Sequence, residues 1–185
     1  MDDEQQKQAR PPVYKKWFRT RDRAGFLSVD PWLDAGKCAI DIGEVDPKTN
    51  SVKGHTQAWT DIVDLATFLQ TVRDGRGSAL YPKEEFMSYG GTRIDGVPVS
   101  RVLRIHPWES GGTVDATGFA WKTGHFDAKE SGQGAFIPNM DKMRSSNLIK
   151  VTRVEMAEIS YRLNLHLTGY VARTPEYLER WSTRS

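Results

Sequence analysis

Val29-Asp30-Pro31-Trp32 returns as Ile105-His106-Pro107-Trp108, and each tetrapeptide closes a stretch of strand-forming residues. A chain that writes one strand end twice is a candidate for internal duplication, and here duplication decides the fold. The echo continues downstream. Residues 39–48, Ala-Ile-Asp-Ile-Gly-Glu-Val-Asp-Pro-Lys, align without a gap on residues 120–129, Ala-Trp-Lys-Thr-Gly-His-Phe-Asp-Ala-Lys. The offset is 76 at the first match and 81 at the second, so one five-residue insertion separates them. Asp, Pro, Gly and Lys recur in turns for compositional reasons alone, but order and spacing agree here as well as residue type. Each half then passes from alternating segments into a helical one, over 60–74 in the first and about 151–170 in the second. The expected fold is α+β: two tandem ββββα units whose two antiparallel sheets pack on helices.

At 185 residues the chain has the size of one ordinary domain, and two small halves are expected to share a core. Hydrophobic residues make up 38% and mean hydropathy is −0.58. No apolar run approaches the roughly 20 residues a bilayer span needs, so the composition predicts a soluble chain with no membrane partner. Cys38 is the only cysteine, which excludes an internal disulfide, and it reads as a small buried hydrophobe. Four scattered histidines with no second cysteine make no zinc set, so neither metal nor cofactor is expected.

A net charge of +2 and a pI of 8.6 fall short of a frankly nucleic-acid-binding composition, so an anionic partner must be drawn by local clustering. Such a cluster exists in residues 13–23. Lys15, Lys16, Arg19, Arg21 and Arg23 stand against Asp22 alone, beside Tyr14, Trp17 and Phe18. The first helical segment is the opposite, with Asp61, Asp64 and Asp74 against Arg73, so charge is segregated. An isolated basic cluster is more often a solvated face or a protected edge strand than a binding site.

Residues 1–12 are acidic and Gln-rich, end in Pro11-Pro12, and read as a disordered arm rather than a targeting peptide. A single domain is expected over 13–172, with repeat one at about 13–75, a connector at 76–97 and repeat two at about 98–172. In repeat one, two strands are broken near 22–25, a third spans 37–45, and a turn at 46–50 leads to a fourth over 51–59. Thr60 is the expected cap of a helix whose stripe is Trp59, Ile62, Val63, Ala66, Leu69 and Val72, ended by Gly75. In repeat two the strands expected are 99–106, 113–126 with an interruption at Gly118, and 134–140. Residues 156–170 fit strand alternation at some positions, but Met156, Ile159, Leu163, Leu167 and Tyr170 step by helical spacings, and length favours helix. Over 173–185, Thr174-Pro175-Glu176 is an N-cap followed by Pro at the first helical position, predicting a short helix to Trp181.

No enzyme signature is present. Gly75-Arg76-Gly77-Ser78 lacks the lysine and leading glycines of a phosphate loop, and Gly132-Gln133-Gly134 follows a turn instead of opening a helix. His55, His106, His125 and His166 have no spaced partners, so the chain is not expected to be an enzyme.

The order of residues 99–107 (Val-Ser-Arg-Val-Leu-Arg-Ile-His-Pro), 134–138 (Gly-Ala-Phe-Ile-Pro) and a helix ending Leu167-Thr168-Gly169-Tyr170 resembles the Whirly fold. That fold is shared by plant organellar single-stranded DNA-binding Whirly proteins and kinetoplastid mitochondrial guide-RNA-binding proteins. Leu27-Ser28-Val29-Asp30-Pro31 is similar to the end of the plant motif Lys-Gly-Lys-Ala-Ala-Leu-Ser-Val and its following Asp-Pro. The resemblance runs from about 13 to 172. Asp22 and Ala24 stand where the plant motif has lysines, and Arg23 where it has glycine, which favours the kinetoplastid relatives over plant-type higher assembly. The resemblance implies a mitochondrial protein, in a tetramer with a homologous partner subunit. It implies single-stranded RNA as ligand, and guide RNA to messenger RNA annealing during RNA editing. A single-stranded DNA binder in transcription or genome maintenance, and a protein-interaction module, are the alternatives.

Single strands are held by cations that track the phosphates and by aromatic platforms that stack bases. The candidate RNA-binding residues are Lys15, Lys16, Arg19, Arg21, Arg23, Arg101, Arg104 and Lys122, then Lys37, Lys53 and Arg93, with Trp17 as the one aromatic. Arg101 against Leu103 and Lys15 against Tyr14 are expected to put charge on the outer face of a sheet. Such a surface binds largely without regard to sequence.

Overall fold

The computed structural model describes residues 12–19, 24–75, 81, 83–132 and 135–174. The basic cluster's Arg21 and Arg23, the N-terminal arm up to residue 11 and the expected final helix lie outside the described residues.

Alternation in the first half builds β1 (Tyr14–Arg19), β2 (Ala24–Trp32), β3 (Lys37–Val45) and β4 (Val52–Asp61), joined in that order as one antiparallel sheet. Leu27, Val29, Cys38, Ile40, Ile42 and Ala58 point to one face and are fully buried. The β3–β4 turn forms because the Asp46 carboxylate accepts from the backbone N–H groups of Lys48 and Thr49 at 2.8 and 3.1 Å. The second half repeats the plan with β5 (Phe86–Ile94), β6 (Val97–Ser110), β7 (Thr113–Glu130) and β8 (Phe136–Thr152), again antiparallel and in order.

The strand register proves the internal alignment. Val29 pairs with Ile40 and Pro31 with Cys38, while Ile105 pairs with Trp121 and Pro107 with Phe119. These pairs superimpose under the same offsets that matched the sequence.

After each sheet comes a helix, α1 (Ile62–Arg73) and α2 (Arg153–Arg173). Asp61, not Thr60, caps α1, accepting from the N–H groups of Val63 and Asp64, while Thr60 is buried in β4. Trp59 therefore sits on the sheet rather than on the helical stripe. Gly75 follows α1 with φ of +64°, a conformation glycine adopts without a Cβ penalty. The cap of α2 is reciprocal: Glu155 N–H donates to the Thr152 hydroxyl, and the Glu155 carboxylate accepts from the Thr152 N–H.

Each helix packs on the first strand of the other repeat. Phe68 of α1 stacks on Phe86 of β5 with ring centroids 5.2 Å apart, and Arg162 of α2 donates to the Val13 carbonyl ahead of β1 at 3.3 Å. The inner faces of the two sheets also meet, where the buried hydroxyls of Thr56 and Thr123 lie 2.7 Å apart and Asn147 donates to Thr56 at 3.0 Å. One hydrophobic cluster runs through both sheets and both helices, with Trp121, Phe119 and Phe68 its largest members. The halves share a core because each lacks a cover for its own sheet.

Three expectations are corrected. The stretch read as a connector holds β5, whose outward Gly91 and polar neighbours weaken the pattern. Strand β7 runs unbroken through Gly118, which is glycine because a Cβ there would come within 3.0 Å of the Val151 carbonyl oxygen. Strand β8 continues to Thr152, far past the expected end at 140, with register shifts opposite Phe126 that bend it.

Candidate nucleic-acid interface

Because successive strand residues alternate faces, burial of one set fixes where the other points. On the second sheet the outward set forms cross-strand rows. One row is Met87, Arg104, Lys122 and Leu148; the next is Tyr89, Val102, Gly124 and Ser146. On the other side lie His106, Ala120 and Lys150. Two cations thus stand directly opposite one another at the centre of the sheet. Arg104 reaches Glu85 only at 3.7 Å, and Lys122 forms no ion pair among the described residues. Exposed Met87 and Tyr89 flank the pair on the edge strand.

Two further cations of this face are partnered. Arg93 pairs with Glu130 and lies 5.8 Å from the Phe136 ring. Lys150 pairs with Asp115 and lies 5.6 Å from the Trp108 ring. The hydrogen bond from Lys150, together with those of Thr117, holds the Asp115 carboxyl far below the usual range.

The outer face of the first sheet is different. Trp17 is 61% exposed, lies 5.3 Å from Phe26 and carries Lys15 Nζ 5.0 Å from its ring. Gly43 makes room for this pair, since a Cβ there would sit 2.2 Å from the Phe26 ring. A second pair, Trp32 and Trp59, meets edge to face at 5.4 Å over small Ala39. Between the pairs runs the row Lys15, Ser28, Asp41 and Gln57. Gln57 is locked there, accepting from Trp59 Nε1 at 2.9 Å and donating to Asp41 at 3.2 Å.

The predicted residues scatter over these surfaces. Arg104, Lys122 and Arg93 lie on the outer face of the second sheet; Lys15 and Trp17 lie on that of the first. Lys37 and Lys53 share this first face but pair with Asp61 at 3.7 Å and Asp46 at 3.5 Å. Arg19 ends β1 opposite Ala24. Two residues point the other way. Lys16 shares the face of Tyr14 and is spent on Glu155 at 2.8 Å. Arg101 shares the face of Leu103, as positions two apart in a strand must, so the expected outward orientation is wrong. Its Nε is buried without a hydrogen-bond partner among the described residues, beside cross-strand His125, whose Nε2 is likewise unpartnered.

Burial, above all, pushes the His125 imidazole below its ordinary value, aided by Arg101, His55 and Arg144 and opposed by the Gln57 backbone. Burial also raises the Cys38 thiol, which is therefore an inert core group. Met87, Tyr89 and Lys150 are not among the residues the sequence offers, because the expected connector covers β5 and the expected last strand ends at 140. Period-two continuation of both strands is the signal that finds them.

The two stacked-repeat sheets with exchanged helices are the Whirly fold, a class defined by architecture. No protein-family model matches the sequence, and no curated protein does. Solved structures do. WHY1 from Arabidopsis thaliana superposes with a TM-score of 0.52 at 14% identity, covering 93% of this chain and 94% of that one. WHY3 from Arabidopsis thaliana gives 0.51 at 11% identity, over 88% and 93%. The plant transcriptional regulator PBF-2 gives 0.50 at 14% identity, over 92% and 84%. At such identities the likeness is one of fold.

Proposed function

We propose that this protein binds single-stranded nucleic acid, with the phosphates held on the outer face of its second sheet. The observation that carries this is the Arg104–Lys122 pair. Like charges directly opposite in a sheet cost stability, and a phosphate between them turns that cost into attraction. Exposed Tyr89 and Met87 beside them offer surfaces on which bases can lie. The Whirly architecture supports the same reading.

The finer function we propose is that of a guide RNA to messenger RNA annealing factor in mitochondrial RNA editing, working in a tetramer with a homologous subunit. It rests on the resemblance carried by residues 99–107, 134–138 and 167–170, and on the non-lysine residues at 22 and 24. Cations that neutralise two backbones while Watson–Crick edges stay free promote pairing without choosing sequence. Single-stranded DNA binding in transcription is the second reading, because PBF-2, described as a transcriptional regulator, shares the fold. A backbone-reading surface tells the sugars apart only by contacting the 2′-OH.

Fluorescence anisotropy with labelled single-stranded RNA, single-stranded DNA and duplex DNA over a salt series tests the proposal, with a strand-annealing assay alongside. Salt-sensitive binding of single strands over duplex, with faster annealing of complementary RNAs, is expected. Absence of binding at low salt sinks the nucleic-acid reading and leaves a protein-interaction module.

A further inference from the structure

The internal repeat aligns the outer faces of the two sheets residue by residue, and at one central position the charge inverts. Lys122 corresponds to Asp41 and His106 to Asp30, while the row Met87, Arg104, Lys122 and Leu148 becomes Lys15, Ser28, Asp41 and Gln57. The first sheet therefore repels phosphate at the point where the second attracts it. Yet the same face carries two aromatic pairs, each with an exposed tryptophan, Trp17 or Trp32, one on each side of the Asp41 row. Consecutive outward rows are about 6.6 Å apart, near the spacing of bases in an extended strand.

We infer that the outer face of the first sheet receives bases rather than phosphates, and that Asp41, fixed by Gln57, selects bases with an exocyclic amino group over uracil or thymine. This rests on the nucleic-acid reading above and gives it a preference that sequence-independent binding lacks. Asp41 is acceptor-only, and its side chain is 20% exposed, open to an approaching edge yet held in orientation. Its Oδ2 accepts from Gln57 at 3.2 Å, while Oδ1 lies 4.0 Å from His55 Nε2, too far to be satisfied by it. Cytosine N4 and the amino groups of adenine and guanine donate to such an oxygen. Uracil brings its one imino donor between two carbonyl oxygens, which the carboxylate repels. Trp17 with Phe26 and Trp32 with Trp59 supply the stacking surfaces that hold the base in reach.

The test is anisotropy with fluorescein-labelled oligo(C) and oligo(U) RNAs of equal length, on the wild type, Asp41→Asn and Lys122→Glu, with light scattering of each protein. The wild type is expected to bind oligo(C) about tenfold more tightly than oligo(U). Asp41→Asn, isosteric and able to donate as well as accept, brings the ratio to within about twofold. Lys122→Glu weakens both ligands by the same factor and keeps the ratio. Equal wild-type affinity for the two oligomers overturns the inference and leaves nucleic-acid binding standing. So does an Asp41→Asn protein that changes its oligomeric state at an unchanged ratio, for then the row belongs to a subunit contact. If wild type binds neither oligomer, the proposed function itself is overturned.

Discussion

Lys16 Nζ lies 2.8 Å from Glu155 Oε1, a bond that ties the first strand of the chain to the first turn of its last helix. Both side chains are about three-quarters buried, at 22% and 23% exposure. Glu155 is also the reciprocal partner in the cap of α2, so one carboxylate closes the helix and anchors β1. Lys16→Met should cost about 1–3 kcal/mol, because it strands a largely buried carboxylate. Thermal unfolding measures the loss, and single-strand binding measured alongside should be unchanged after correction for the folded fraction.

The same group sets an acid limit. Burial pushes the Glu155 carboxyl up, but hydrogen bonds from Lys16 and Thr152 outweigh it and leave the group below its ordinary 4.5. A carboxyl depressed in the folded state adds stability above that value and loses it as the pH falls further. Urea midpoints between pH 5 and 3 should drop less steeply in Lys16→Met than in the wild type.

Arg104→Ala and Lys122→Ala should leave the fold as stable as before or slightly more so, since each removes a repulsion between cross-strand cations. Binding of single-stranded RNA should weaken roughly fivefold to tenfold per substitution near 0.1 M salt, and each should lower the slope of log affinity against log salt by about 0.7. A salt titration reads both. An unchanged slope would mean that neither residue meets a phosphate.

Trp17→Ala should give the complementary signature. At 61% exposure the indole contributes little to the core, so the unfolding temperature should hold. Loss of a stacking platform should cost about 1–3 kcal/mol in binding with the salt slope unaltered.

Much of this architecture was legible in the sequence, because duplication leaves a signal that no single strand provides. The paired echoes at 29–32 and 105–108 carried the strand order and the helices that follow. Strand β5 stayed hidden since Gly90, Gly91 and the outward Tyr89 and Arg93 read as loop chemistry, and only the neighbouring strands make it a sheet edge. The site was legible in residue type but not in direction. Lys16 and Arg101 belong to basic stretches, yet their parity with Tyr14 and Leu103, which the sequence itself sets, turns them inward. The charge inversion between Lys122 and Asp41 was also present in the aligned repeats, but it gains meaning only once both are known to face outward.

His125 should produce a second, milder pH dependence. Its imidazole is held below the ordinary 6.5 by burial first, then by Arg101, His55 and Arg144. The unfolded chain therefore takes up this proton before the folded one, and stability declines as the pH falls below about 6.5. His125→Gln should flatten the stability profile between pH 6.5 and 5 while leaving the steeper fall near Glu155 in place. Chemical denaturation at half-unit pH steps separates the two windows.

Gly25 fixes how closely β2 and β3 approach. A Cβ there would sit 2.4 Å from the carbonyl oxygen of Gly43 and 2.6 Å from the Phe18 ring. The ring can swing aside, but the carbonyl is main chain in the centre of the sheet and cannot. Gly25→Ala must therefore pry the two strands apart next to the bulge at Glu44 and Val45, at a cost of about 1–3 kcal/mol typical of overpacking. Gly54→Ala, with nothing within 4 Å of the added carbon, is the matched control and should unfold within about 0.5 kcal/mol of the wild type. Equal stabilities for the two variants would show that the strands have room that their register denies them.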